Sequence, residues 1–122
     1  MLGDSTIYTT IAVSDMQLSK EFYGKKLGLN QVDESPIGIK YESGSGKLLT
    51  YQSTTAGTSE ATCAAWQVDD VEAVVSDLQL AGVVFDNYDI PGADVDGHIY
   101  TIGSQKAAWF HDPDGNILSI SS

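Results

Sequence analysis

Two short segments of this chain repeat one another. Ile11-Ala12-Val13-Ser14-Asp15-Met16 returns as Trp66-Gln67-Val68-Asp69-Asp70-Val71, with Val13 on Val68, Asp15 on Asp70 and Met16 on Val71 at a common offset of 55. Each copy reads as an alternating strand, then an acidic helix start, then a helix. Asp15 and Asp70, or the residues just before them, suit the capping of free backbone N–H groups. The spacing predicts helices over Met16–Leu27, ending near Gly28, and Val71–Ala81, ending at Gly82.

Each half then closes with a hairpin. The first runs Gly38 to Tyr41, turns at Ser43-Gly44-Ser45-Gly46 and returns from Leu48 to Tyr51. The second runs Ala107 to Phe110, turns at Asp112-Pro113-Asp114-Gly115 and returns from Ile117 to Ile120. Proline presets φ there and glycine takes the left-handed position, so the spacing of the aspartates is explained by the turn. Gly46 and Gly115 match at an offset of 69, which gives the second half fourteen extra residues, expected as a long loop between about Asn87 and Gln105. Long loops in compact domains are usually functional.

The expected fold class is α+β: two βαβββ repeats, about 5–53 and 61–122, joined by a Ser/Thr/Gly-rich linker at 54–60. A chain of 122 residues fits one such domain.

Charge narrows the partners. Six lysines and no arginine stand against 17 acidic residues, for a net charge of −11. Eleven of the acids, and one lysine, lie from residue 60 onward. No basic stripe exists to displace counterions from nucleic acid, and no arginine fork to grip a phosphate. An anionic membrane surface would repel the chain. The single cysteine, Cys63, excludes an internal disulfide. Met1-Leu2-Gly3-Asp4 has no basic region and opens no apolar run, and no segment is long enough to span a bilayer. The expectation is a reduced, cytoplasmic protein with a neutral or cationic small-molecule partner, and with neither nucleic acid nor membrane as a target.

Three stretches carry a family resemblance. Ala107-Ala108-Trp109-Phe110-His111-Asp112-Pro113-Asp114-Gly115-Asn116-Ile117-Leu118 resembles the aromatic-x-Asp-Pro-Asp-Gly-Asn signature of the vicinal oxygen chelate superfamily. That superfamily includes glyoxalase I, extradiol dioxygenases, fosfomycin-resistance enzymes and bleomycin-resistance proteins. Val13-Ser14-Asp15, followed by Phe22-Tyr23 and Leu27-Gly28-Leu29, is the second stretch, and Val68-Asp69-Asp70-Val71 the third. The resemblance implies a cup-shaped mixed sheet with helices on its outer face, and a homodimer. In metal-dependent members it also implies four ligands on the cup floor, usually two His and two Glu. Those positions fall here on Tyr8, Thr50, Cys63 and Ser119. Neutral hydroxyls and one thiol are poor ligands for a divalent metal, so no metal or cofactor is expected.

Strand alternation orients the rest. With Tyr8 in the cup, Thr10 and Ala12 follow and Ile11 and Val13 face the helices. With Cys63 in the cup, Ala65 and Gln67 follow, and Trp66 is core. Thr50 and Ser119 are expected on the cup side. Trp109 lies opposite Ser119 and offers a stacking surface; a register shift of one residue would instead place it under the second helix. Lys40 is the repeat partner of Trp109 and joins the candidates. Tyr88, His98 and Tyr100 belong to the long loop at the cup mouth. Cys63 lacks a base or positive field to activate it, and His111 reads as a surface residue at a strand end. The candidate ligand-binding set is therefore Tyr8, Lys40, Thr50, Cys63, Gln67, His98, Tyr100, Trp109 and Ser119, with no catalytic residue. The leading function is metal-free binding or sequestration of an aromatic or cationic compound. The alternatives are a glyoxalase- or dioxygenase-like enzyme (lyase or oxidoreductase) with a non-standard or displaced metal site, and a structural module with no small ligand.

Overall fold

The fold was read from a computed structural model, which describes residues 1–122. The first half is β1 (Thr9–Val13), helix α1 (Met16–Ser19, continued as a π-helical stretch over Lys20–Lys26), β2 (Asn30–Glu34), β3 (Ile39–Ser43) and β4 (Gly46–Gln52). Its sheet has the order β1-β4-β3-β2, with β1 and β4 parallel and the other pairs antiparallel. The second half is β5 (Thr62–Gln67), α2 (Val71–Leu80), β6 (Phe85–Asp86), β7 (Asp94–Asp96), β8 (Ile99–Ile102), β9 (Gln105–His111) and β10 (Ile117–Ser121). Its order is β5-β10-β9-β8-β7, with β6 also paired to β9. The architecture is α+β, two open sheets of mixed strands.

The fourteen extra residues form more than a loop. They contain the hairpin β7–β8, and β8 pairs with β9 from Tyr100↔Ala107 to Ile102↔Gln105. β6 occupies the other end of the same edge, at Phe85↔Phe110 and Asp86↔Trp109. A seven-residue β9 presents more backbone N–H and C=O groups than the two-residue β6 can satisfy, and the inserted hairpin satisfies the remainder.

Both helices start at the expected caps. Asp15 accepts from the N–H of Gln17 (2.9 Å) and Leu18 (3.2 Å), and Asp70 accepts from that of Ala73 (3.0 Å). α1 is α-helical only over Met16–Ser19 and widens into a π-helical stretch over Lys20–Lys26. Its last bond runs from Leu27 N–H to Phe22 C=O. The wider turn lets two successive side chains, Phe22 and Tyr23, both bury.

One core serves both sheets. Ile11, Val13, Ile39, Tyr41 and Leu48 of the first pack with Ala108, Phe110, Leu118 and Ile120 of the second, under Phe22, Tyr23, Val71 and Val75 of the helices. The sheets meet along β1 and β5. Their other face carries no helix and bears the alternate side chains of every strand. No helix is long and apolar enough to cross a membrane.

Candidate functional site on the helix-free face

Alternation along β9 sends Ala108 and Phe110 into the core and leaves Ala107, Trp109 and His111 on the helix-free face. β10 adds Ser119 opposite Trp109 and Ile117 opposite His111, and β6 adds Asp86 opposite Trp109. Two tyrosines from the inserted segment hold the indole edge-on: Tyr88 at 5.9 Å and 85°, and Tyr100 at 5.4 Å and 83° between ring centroids and planes. Such edge-to-face pairs suit the quadrupoles of the rings. Tyr100 is buried and its hydroxyl both donates to the Tyr88 C=O (2.8 Å) and accepts from the Tyr88 N–H, so it fixes the chain where it leaves β6. Burial, and then the charge of Asp86, push the Tyr88 phenol above its usual range.

Two adjoining grooves open here and share Tyr88 and Ile117. One, of about 230 Å³, is lined by Glu60, Thr62, Tyr88, Ile90, Trp109 and Ile117. The other, of about 450 Å³, is lined by Asp86, Asn87, Tyr88, His111, Gly115 and Ile117. In the larger groove His111 Nδ1 lies 3.0 and 3.1 Å from the two carboxylate oxygens of Asp86. A separate crevice of about 130 Å³ on the helix side is apolar apart from Ser43. Trp66 occupies that single polar group, Nε1 donating to Ser43 Oγ at 2.9 Å, while its ring stacks on Phe110.

The expected site residues are partly gathered and partly dispersed. Trp109, Ser119 and Tyr100 stand together, and Gln67 lies on the same face, two strands from Trp109, opposite Ser121. Tyr8 and Lys40 form their own pair on the first half, with Lys40 Nζ 4.9 Å from the Tyr8 ring centroid, a cation–π geometry. His98 sits in the β7–β8 turn, where Nδ1 lies 3.0 Å from Asn87 Oδ1. It braces the segment and lines neither groove.

Thr50 corrects the expectation. It pairs with Ile11 and Ile39, faces the helices and is fully buried. The cause is hairpin length. The first hairpin closes at Ser43↔Gly46, across two residues, and the second at His111↔Ile117, across five. Tyr41 matches Phe110 at an offset of 69, but their partners Leu48 and Leu118 match at 70. The structural mate of Ser119 is therefore Leu49, which shares the helix-free face with its partner Lys40. One residue of slip exchanges the two faces of a strand.

Cys63 lies at the irregular step between the Ile117↔Thr62 and Leu118↔Ala64 pairs, and its Sγ donates to the Ile117 C=O at 3.4 Å. Burial and the Asp112 charge push its thiol up, the reverse of what a nucleophile or metal ligand needs. A divalent metal does not fit these four positions: two neutral hydroxyls, a phenol and a protonated thiol point to different faces. No group of three or more His, Cys, Asp or Glu side chains converges anywhere in the chain.

His111 and Ile117 stood outside the expected site; the signal that could have found them is alternation, since they lie two residues from Trp109 and Ser119 on their strands. Glu60, Ile90 and Asp86 had no local signal, because the linker, the inserted segment and the two-residue β6 bring them in.

Among known proteins, residues 6–120 match the family model of the Glyoxalase/Bleomycin resistance protein/Dioxygenase superfamily. No curated protein matches the chain. Of solved structures, a glyoxalase family protein from Enterococcus faecalis superposes with a TM-score of 0.76 at 23% identity, over 100% of both chains. A glyoxalase/bleomycin resistance protein from Streptomyces sp. CB03234 gives 0.67 at 23%, over 97% of this chain and 100% of that one. TnmS3, an antibiotic binding protein from the same source, gives 0.67 at 21%, over 98% and 96%. At these identities the likeness is one of fold. The extent of the family match, over a fold of the same kind, makes this chain a member of the glyoxalase/bleomycin resistance protein/dioxygenase superfamily.

Proposed function

We propose that the protein binds a planar aromatic compound, neutral or cationic, in the grooves beside Trp109, and sequesters it without a metal. The observation that carries this is the indole itself: half-buried, braced by two tyrosines and facing an open groove instead of the core. A pre-set aromatic wall stacks a flat ligand at little entropic cost. The groove carboxylates, Glu60 and Asp86, and the absence of any lysine from the lining favour a ligand that is not an anion. The antibiotic binding neighbour is consistent with a binding role on this fold. A homodimer, as the family resemblance implies, belongs to the same reading.

A panel of neutral and cationic aromatic compounds, read by melting temperature and indole fluorescence, tests it. At least one member raises Tm and quenches emission, and Trp109→Ala loses the stabilisation. Added zinc, nickel or manganese leaves Tm where it was. A panel without effect on either readout, or binding undiminished in Trp109→Ala, refutes the proposal. Light scattering of the purified chain gives the oligomeric state.

A further inference from the structure

His111 and Trp109 leave the same face of β9, two residues apart, and Asp86 reaches both: its backbone pairs with Trp109 and its carboxylate meets the imidazole. A carboxylate only accepts, so the proton of a neutral His111 sits on Nδ1 and the lone pair on Nε2. The two side chains are 45% and 26% exposed, open to a ligand on the groove side. The Asn87 amide lines the same groove, and the Glu60 carboxylate and Thr62 hydroxyl line the adjoining one. No lysine lines either groove: Lys106 pairs with Glu72 and Lys40 lies over the Tyr8 ring. The two grooves thus set hydrogen-bond acceptors, with no lysine, beside an aromatic wall.

We infer that His111 Nε2 is the acceptor for a hydroxyl on the bound aromatic ring, so that the grooves select phenol-type ligands over their ethers. The inference rests on the reading of the Trp109 grooves as the ligand site and narrows its ligand class. A hydroxyl that stacks against Trp109 gives its proton to Nε2 in a hydrogen bond. An ether of the same shape has no donor and covers Nε2 without satisfying it, and an acceptor left unpaired is what discriminates between such analogues. Asp86 is a positioning residue: it holds the tautomer and the ring orientation that keep Nε2 free.

The test is calorimetric titration of the full chain at pH 7.5 with 2-naphthol and 2-methoxynaphthalene. Wild-type protein binds the naphthol about three- to tenfold more tightly, the net worth of one hydrogen bond. In His111→Phe the two affinities become equal while the ether still binds. Asp86→Ala narrows the gap, and the imidazole nitrogen resonances show the tautomer no longer fixed. In wild-type protein the Nε2 resonance moves on adding naphthol and not on adding the ether. Equal affinities in wild-type protein, or a gap undiminished in His111→Phe, overturn the role of His111 and leave the groove reading intact. If neither probe binds, or both bind Trp109→Ala as well as wild type, the groove reading itself fails and the selectivity falls with it.

Discussion

The Tyr23 hydroxyl donates to Asp112 Oδ2 at 2.7 Å, across 89 residues of sequence, and neither residue reaches solvent. Asp112 also accepts from Asn116 Nδ2 (2.8 Å), Asn116 N–H (2.9 Å) and Asp114 N–H (3.0 Å). Four donors satisfy a carboxylate that water cannot solvate. The same turn grips the first half twice more. Asp114 accepts from both the N–H and the hydroxyl of Ser14, and Asn116 Nδ2 donates to the Ala12 C=O at 2.8 Å. The Asp-Pro-Asp-Gly-Asn segment is therefore a clamp between the halves as well as a turn.

Tyr23→Phe keeps the ring packing and removes one donor from Asp112. The expected cost is about 1–3 kcal/mol, the penalty for a buried charged acceptor left short of a partner. Urea unfolding with an unchanged m-value measures it. A loss under about 0.5 kcal/mol would mean the clamp is redundant there.

Alkaline pH probes the same pair. Burial first, and then the Asp112 charge, hold the Tyr23 phenol far above its ordinary value of 10.0. The folded state keeps a proton that the unfolded chain releases above that pH. Stability from this group is thus complete below about pH 10 and declines above it, by about 1.4 kcal/mol per pH unit. Tyr41, raised mainly by burial, adds to the slope. Unfolding free energies between pH 9 and 11.5 decline less steeply in Tyr23→Phe than in wild type.

Gly57 supports the clamp from the linker. Its N–H donates to Asn116 Oδ1 at 3.2 Å, its φ is +71°, and a Cβ there would stand 1.7 Å from the Asp114 C=O oxygen. Gly57→Ala costs about 3 kcal/mol or more, roughly 10 °C in Tm. Gly44→Ala is the control: φ is also positive (+57°) but the space is open, so about 1 kcal/mol is lost. Similar melting curves for the two variants would contradict the clash.

Cys63 is exposed yet its thiol is disfavoured as thiolate, by burial of the sulfur and by Asp112. At pH 8 an aromatic disulfide reagent modifies the folded protein more slowly than the same chain in urea. Asp112→Asn, if it folds, speeds the folded-state reaction. A native rate equal to the unfolded rate would remove this account.

Much of the fold is readable from short-range pattern. The repeat at Asp15 and Asp70 appears as two real caps, and the apolar alternation of Ile11 and Val13 as buried core. The inserted segment was visible only as excess length. Its strands, of three and four residues, are too short for periodicity to register, and they form because β9 offers an unpaired edge.

What the sequence determined by itself is the set of contacts made within a few residues: caps, hairpin turns, strand alternation and, through them, the family of fold. The tertiary structure alone decided which side chains meet. Thr50 turned inward because, between the matched pairs Tyr41↔Leu48 and Phe110↔Leu118, the first hairpin is one residue shorter than the second. His111 met Asp86 because β6 pairs with β9, and Trp109 met Tyr88 and Tyr100 because the insert folds back along β9. Asp112 became the centre of the clamp because α1 delivers Tyr23 to it. Those pairings depend on register and long-range packing, and a one-residue shift, invisible in composition or motif, reverses them.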